Sequence, residues 1–185
     1  MNRIILASAS PRRKQLLEWA EIPFEVIVHP TDESYPEGLS PESVAIHIAR
    51  NKALAVAGAY PHDTVLAADT IVVLGDRIIG KPAGRDDAIA ILGSLSGQVH
   101  RVITGVTIVS PGNETSFADI TEVSFHELTP EGIRFYIDKY KPYDKAGAYA
   151  IQEWIGVTGI QSIRGDFYNV MGLPVSRVVQ ALRNT

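Results

Sequence analysis

The amino-acid sequence predicts an α/β (α+β) protein, with a mixed central sheet, flanking helices and two lobes about a cleft. Short apolar runs such as Ile4 to Ala7 and Val65 to Ala68 alternate with segments whose apolar residues recur at helical spacing. Tight hairpin turns and strand-loop-helix junctions both occur, so parallel and antiparallel pairings are expected together. The 185 residues, 45% apolar and 8% aromatic, suffice to bury a substantial core, and without a repeat or a clean linker they read as a single domain over 1–185.

Ile4 to Ala7 reads as a buried strand, and Ser10-Pro11 then supplies a cap and a proline start for a helix bearing Leu16, Leu17 and Ala20 on one side. Phe24 to Val28 alternates as a second strand. The polar stretch from His29 to Leu39 is a loop carrying Asp32, Glu33 and Glu37. Ser40-Pro41 opens a second helix that ends near Gly58 and holds Lys52 in its second half. Thr64 to Ala68 is a buried strand expected to end at Asp69-Thr70, followed by a hairpin of Ile71 to Leu74 and Arg77 to Ile79 about Gly75-Asp76. A helix spans Arg85 to Leu95. Val99 to Val109 and Thr115 to Glu127 form a long hairpin across Pro111-Gly112-Asn113, and Thr129-Pro130-Glu131 caps a helix to about Tyr140. The last third holds an irregular stretch from Asp144 to Gln152, strand segments around Ile155 to Val170, and a helix opened by Pro174.

Composition narrows the chemistry. With no cysteine, disulfides, thiolate nucleophiles, iron–sulfur ligation and Cys-based zinc sites are excluded. The five histidines lie far apart, with no two-histidine helical metal pair. A net charge of −4 argues against broad nucleic-acid binding, which neutralises many phosphates with Lys and Arg. No apolar run approaches the ~20 residues of a membrane helix. Arg12-Arg13 matches the paired arginines of an export signal, but Glu18 and Glu21 interrupt the apolar stretch such a signal needs, so a cytoplasmic location is expected.

Gly75 to Lys81 has the glycine and lysine spacing of a phosphate-binding P-loop. Pro82 stands where the magnesium-binding Ser or Thr belongs and no helix follows, so that reading is rejected. Ser8-Ala9-Ser10-Pro11-Arg12-Arg13 offers helix N-terminal amides and two forked guanidiniums, a polyphosphate cradle; the alternative is a capped helix with exposed arginines. Asp69, at a strand end, suits metal binding or activation of water, or simply starts a turn. Glu33 is a second carboxylate or a solvated loop charge. Gln152 reads as a buried amide able to present donor and acceptor to a base, or as a structural hydrogen bonder.

In order along the chain, Leu6 to Arg13 (LASASPRR), Ala49 to Ala53 (ARNKA), Ala68-Asp69-Thr70, Gly80-Lys81-Pro82, Asp144 to Tyr149 (DKAGAY) and Gly172-Leu173-Pro174 resemble the Maf family of nucleoside triphosphate pyrophosphatases. The resemblance spans essentially the whole chain and rests on the ordered set. It implies a Maf/inosine triphosphate pyrophosphatase-like fold and hydrolysis between the α and β phosphates, with Mg2+ or Mn2+ as cofactor. It implies Asp69 as proton acceptor, Ser8, Arg13, Lys52 and Lys81 around the phosphates, and Glu33 at an acidic active-site position, with Asp69 and Glu33 either holding the metal or acting on water. Arg12, Thr70 and Gln152 look like the specificity trio of the branch acting on dTTP and UTP. The partner expected is a nucleoside triphosphate, with no nucleic acid and no membrane. The apolar hairpin of Val99 to Glu127 leaves room for a homodimer. The alternatives are a nucleotide-binding regulator of cell division, or a pyrophosphatase for 7-methyl-GTP or inosine triphosphate.

Overall fold

The computed structural model describes residues 3–183. In chain order the elements are β1 (Ile4–Leu6), α1 (Pro11–Trp19), β2 (Glu25–Val26), α2 (Pro41–Ala57), β3 (Thr64–Leu74), β4 (Arg77–Ile79), α3 (Arg85–Leu95), β5 (Val99–Ser110), β6 (Asn113–Phe125), α4 (Pro130–Tyr140), a 3-10 turn (Ala146–Ala148), α5 (Trp154–Gly159), β7 (Ile160–Arg164), α6 (Phe167–Met171) and α7 (Val175–Leu182). The strands follow the order β2-β1-β3-β5-β6-β7, with β4 on β3. β1 runs parallel to β2 and β3, whereas β3–β4 and β6–β7 are antiparallel, so the sheet is mixed as expected. Chain contacts divide it into two compact units, one of Met1–Thr70, Thr104–Asp119 and Gly172–Thr185, the other of Ile71–Ile103 and Ile120–Met171.

In the first unit, the strand period of two sorts the side chains of β1 and β3 onto opposite faces. Ile5, Ala7, Val65 and Ala67 share one core cluster with Ala53 and Val56 of α2. Helix α2 starts where Ser40 Oγ accepts a hydrogen bond from Ser43 N at 3.2 Å and Pro41 sets the first turn. Its inner face is Val44, Ala45, Ile48, Ala49, Ala53 and Val56. The helix backbone lies directly on β5, because a Cβ at Gly105 would stand 2.2 Å from the Ala45 carbonyl carbon. Only glycine permits that approach. Helix α1 opens with Pro11 and buries Arg13 beside Leu16 and Leu17.

In the second unit, β3 and β4 close a hairpin about Gly75, whose φ of 60° demands a left-handed residue. No helix follows this turn as a P-loop requires; α3 starts only at Arg85. Helix α4 is capped by Thr129 Oγ1, which accepts from Gly132 N at 3.1 Å, and buries Ile133, Tyr136 and Ile137.

Three local expectations change. The strand expected to stop at Asp69-Thr70 runs unbroken to Leu74, since the β-branched Ile71-Val72-Val73 continues the pairing and a lysine partner offsets the burial of Asp69. The segment expected as strand from Ile155 to Val170 is strand only over Ile160–Arg164. Ile155, Val157 and Thr158 favour strand intrinsically, but a close turn decides: a Cβ at Gly156 would stand 1.7 Å from the Ile151 carbonyl oxygen. The second strand shrinks to the exposed pair Glu25–Val26, because β1 itself is three residues long and the pairing ends with the Ile27 N–H donating to the Leu6 carbonyl at 3.2 Å.

Candidate active site

Asp69 has the strand parity of Val65 and Ala67, which puts it on the face covered by α2; Thr70 has the parity of Leu66 and Ala68 and points to the other. Each then meets a cation from a different helix. Lys52 lies on α2 one residue before the buried Ala53, and its Nζ donates to Asp69 Oδ1 at 2.7 Å. The same nitrogen sits 2.7 Å from Glu33 Oε1, so one ammonium joins two carboxylates. The Lys52 and Asp69 side chains are 18% and 14% exposed, whereas Glu33 is 53% exposed on its loop. An ammonium has three N–H donors, so one remains after these two contacts.

On the opposite face, Arg13 is buried and three of its five N–H groups are spent. Nε donates to the Gly172 carbonyl at 2.7 Å, Nη1 to Ser8 Oγ at 3.0 Å and Nη2 to Thr70 Oγ1 at 3.0 Å. Thr70 Oγ1 also lies 2.8 Å from Thr104 Oγ1, on a wholly buried residue of β5. Burial pulls the Arg13 guanidinium below its ordinary value; the charge of Asp69 opposes this, the like charge of Arg12 adds to it, and Glu33 opposes it. Among the alternatives for Arg12-Arg13, exposed arginines are therefore ruled out for Arg13. Arg12 is half-buried in the same first turn.

Ser8, Arg13, Lys52, Asp69, Thr70 and Glu33 thus gather within the first unit. Sequence reasoning missed Thr104 and the Gly172 carbonyl. Thr104 carried a signal, a hydroxyl inside the apolar run from Val102 to Val109, and Gly172 sits in a motif already noted.

Lys81 and Gln152 belong to the second unit. Lys81 is exposed between β4 and the buried Pro82. Gln152 is exposed too, which corrects its reading as a buried amide; the apolar neighbours that suggested burial, Ala150 and Ile151, are themselves what the core takes. Its segment is held tightly nonetheless. Gly147 has φ 72° against Val72, and Tyr136 Oη accepts from Ala150 N at 3.1 Å while donating to Glu153. Tyr149 Oη shares a 2.6 Å hydrogen bond with His100 Nε2. Burial pushes the His100 imidazole down to about 4 and the Tyr149 phenol upward.

A mixed sheet flanked by helices, in which Asp69 and Thr70 of β3 meet Lys52 of α2 and Arg13 of α1, defines an α/β protein with a compact charged site. The family model for the Maf-like protein matches residues 3–185, and the chain belongs to the Maf family. A dTTP/UTP pyrophosphatase of Cytophaga hutchinsonii is 50% identical over 97% of this chain and 82% of its own length. One from Parabacteroides distasonis is 48% identical over 98% of this chain and 95% of its own. Among solved structures, the Ham1 protein of Staphylococcus aureus shares the fold at a TM-score of 0.53 and 15% identity, over 98% of both chains.

Proposed function

We propose that this chain hydrolyses dTTP and UTP between the α and β phosphates, releasing the nucleoside monophosphate and pyrophosphate. The observation that carries the reading is Lys52 Nζ, 2.7 Å from both Asp69 and Glu33 with a donor to spare. One residue thereby orients a general base and offers an N–H to a phosphate oxygen. The names of relatives half identical over nearly the whole chain support the reaction and the substrates.

Asp69 accepts the proton of water as the water oxygen bonds to the α phosphorus and pyrophosphate leaves. A positioned base contributes roughly 10² to 10⁴ in rate. Ser8, Arg13 and Lys52 of the first unit form an anion-binding group, the family resemblance assigns Lys81 to phosphate as well, and fixed donors of this kind supply most of the catalysis in phosphoryl chemistry. Arg12, Thr70 and Gln152 set base preference: a neutral amide at Gln152 suits the donor and acceptor edge of uracil or thymine. The activity belongs in the cytoplasm, on free nucleotides.

Asp69 and Glu33 are hard oxygen donors of the kind magnesium and manganese take. Among the described residues no group of three or more His, Asp or Glu side chains forms a protein-only cage. One or two carboxylates completed by substrate phosphates and water is the arrangement magnesium favours, so the residues fit it. Asp69 and Glu33 would hold the ion, which when bound offsets phosphate charge.

The test is incubation of the protein and Asp69→Asn with magnesium or manganese and separate dTTP, UTP, CTP, GTP, ITP and 7-methyl-GTP, with products identified chromatographically. Monophosphate and pyrophosphate should form from dTTP and UTP and fall by roughly 10² to 10⁴ in the variant. Binding without turnover, or faster cleavage of ITP or 7-methyl-GTP, overturns the reading.

A further inference from the structure

One of the three oxygens that hold Arg13 is Ser8 Oγ, and its hydrogen-bonding capacity is nearly accounted for. It accepts from Arg13 Nη1 at 3.0 Å and from Ser10 N at 3.3 Å. A hydroxyl has two acceptor lone pairs and one proton. With both lone pairs engaged by protein donors, the proton is the one function left, and no acceptor for it is found among the described residues. Ser8 is only 7% exposed, so water does not freely reorient it.

Arg13 is held just as firmly from its other side. Its Nε is committed to the Gly172 carbonyl, and Nη2 to Thr70 Oγ1, which is itself braced by Thr104. A guanidinium fixed at three points by protein acceptors and only 8% exposed is built to hold other groups still. We infer that Arg13 is a positioning residue: braced by Thr70, Thr104 and Gly172, it turns the Ser8 hydroxyl into a one-way donor aimed at an anionic phosphate oxygen, and acts on the ligand through Ser8. Thr104 is a second positioning residue of the same chain. The inference rests on the nucleotide reading above and deepens it by dividing the anion-binding group into a residue that touches phosphate and residues that orient it.

The experiment is a double-mutant cycle. Wild type, Ser8→Ala, Arg13→Lys and the double variant are compared by kcat and KM for dTTP and UTP. Binding of inorganic tripolyphosphate is measured on the same four proteins by calorimetry. Loss of one hydrogen bond to a charged group lowers kcat/KM roughly 10- to 150-fold, and each single variant should show this. The double variant should lie within about threefold of the weaker single, since both remove the same donor. Ser8→Thr, which keeps the hydroxyl, should retain activity only while Arg13 is present. Losses that multiply overturn the inference, because an arginine touching phosphate directly acts independently of Ser8. So does an Arg13→Lys protein that keeps wild-type kinetics, because charge alone then suffices. If Arg13→Lys does not fold by thermal denaturation, Thr104→Val replaces it, with a loss expected only where Ser8 is retained and a loss in both backgrounds overturning the inference. No turnover by wild type defeats the pyrophosphatase reading, and the tripolyphosphate cycle then still decides this one.

Discussion

His100 is 1% exposed, packed against the rings of Phe125 and Tyr149 at centroid distances of 5.3 and 5.5 Å. Its desolvated imidazole titrates near 4, against 6.5 for the unperturbed ring. Folding therefore holds it neutral where the unfolded chain would protonate. Because the folded value is the lower one, the stabilisation is fully present above pH 6.5 and is lost as pH falls through 4. At 1.36 kcal/mol for each tenfold change in proton affinity, this amounts to about 3 kcal/mol of pH-linked stability, nearly all of it lost between pH 7 and pH 4. For a chain of this size that corresponds to about 6 to 12 °C in Tm. The perturbation is His100→Gln, an amide that keeps a partner for the Tyr149 hydroxyl and cannot protonate. Urea denaturation of both proteins from pH 7.5 to pH 4 should show wild type losing about 3 kcal/mol more than the variant. Parallel curves would refute the assignment, because they would mean that His100 titrates alike in the folded and unfolded chain.

Gly105→Ala should destabilise by about 3 kcal/mol, since the new methyl meets helix backbone at Ala45 rather than a movable side chain; thermal denaturation checks this. Tyr136→Phe should cost about 1 to 3 kcal/mol by leaving the buried Ala150 N–H without its acceptor. If Gln152 reads the base, the same variant raises KM for dTTP and UTP more than it lowers kcat, which steady-state kinetics will separate.

Much of the architecture was legible because local chemistry dictated it. Pro11, Pro41 and Pro130, each behind a Ser or Thr, marked three helix starts that the structure reproduces. The turns at Gly75 and Pro111-Gly112 joined strands where the structure joins them. The segment around Ile155 failed for a physical reason. Its β-branched residues favour strand in isolation, while the contact of Gly156 with the Ile151 carbonyl, invisible in local propensity, fixes a helical turn.

The site divides the same way. The residues themselves drew attention to the Ser8 to Arg13 segment and to Asp69, and the family resemblance of the ordered motifs added Lys52. What each does was decided by partners distant in sequence. Lys52 lies 17 positions from Asp69, and Arg13 lies 57 from Thr70 and 159 from Gly172. No local pattern reports that Arg13 would be buried with three donors spent, that Thr104 would brace it, or that Gln152 would be exposed. Hydrogen bonds count donors and acceptors wherever the fold delivers them. Sequence alone therefore determined which groups were available and which elements would carry them, and only the tertiary structure decided which lone pairs and protons were left for a ligand.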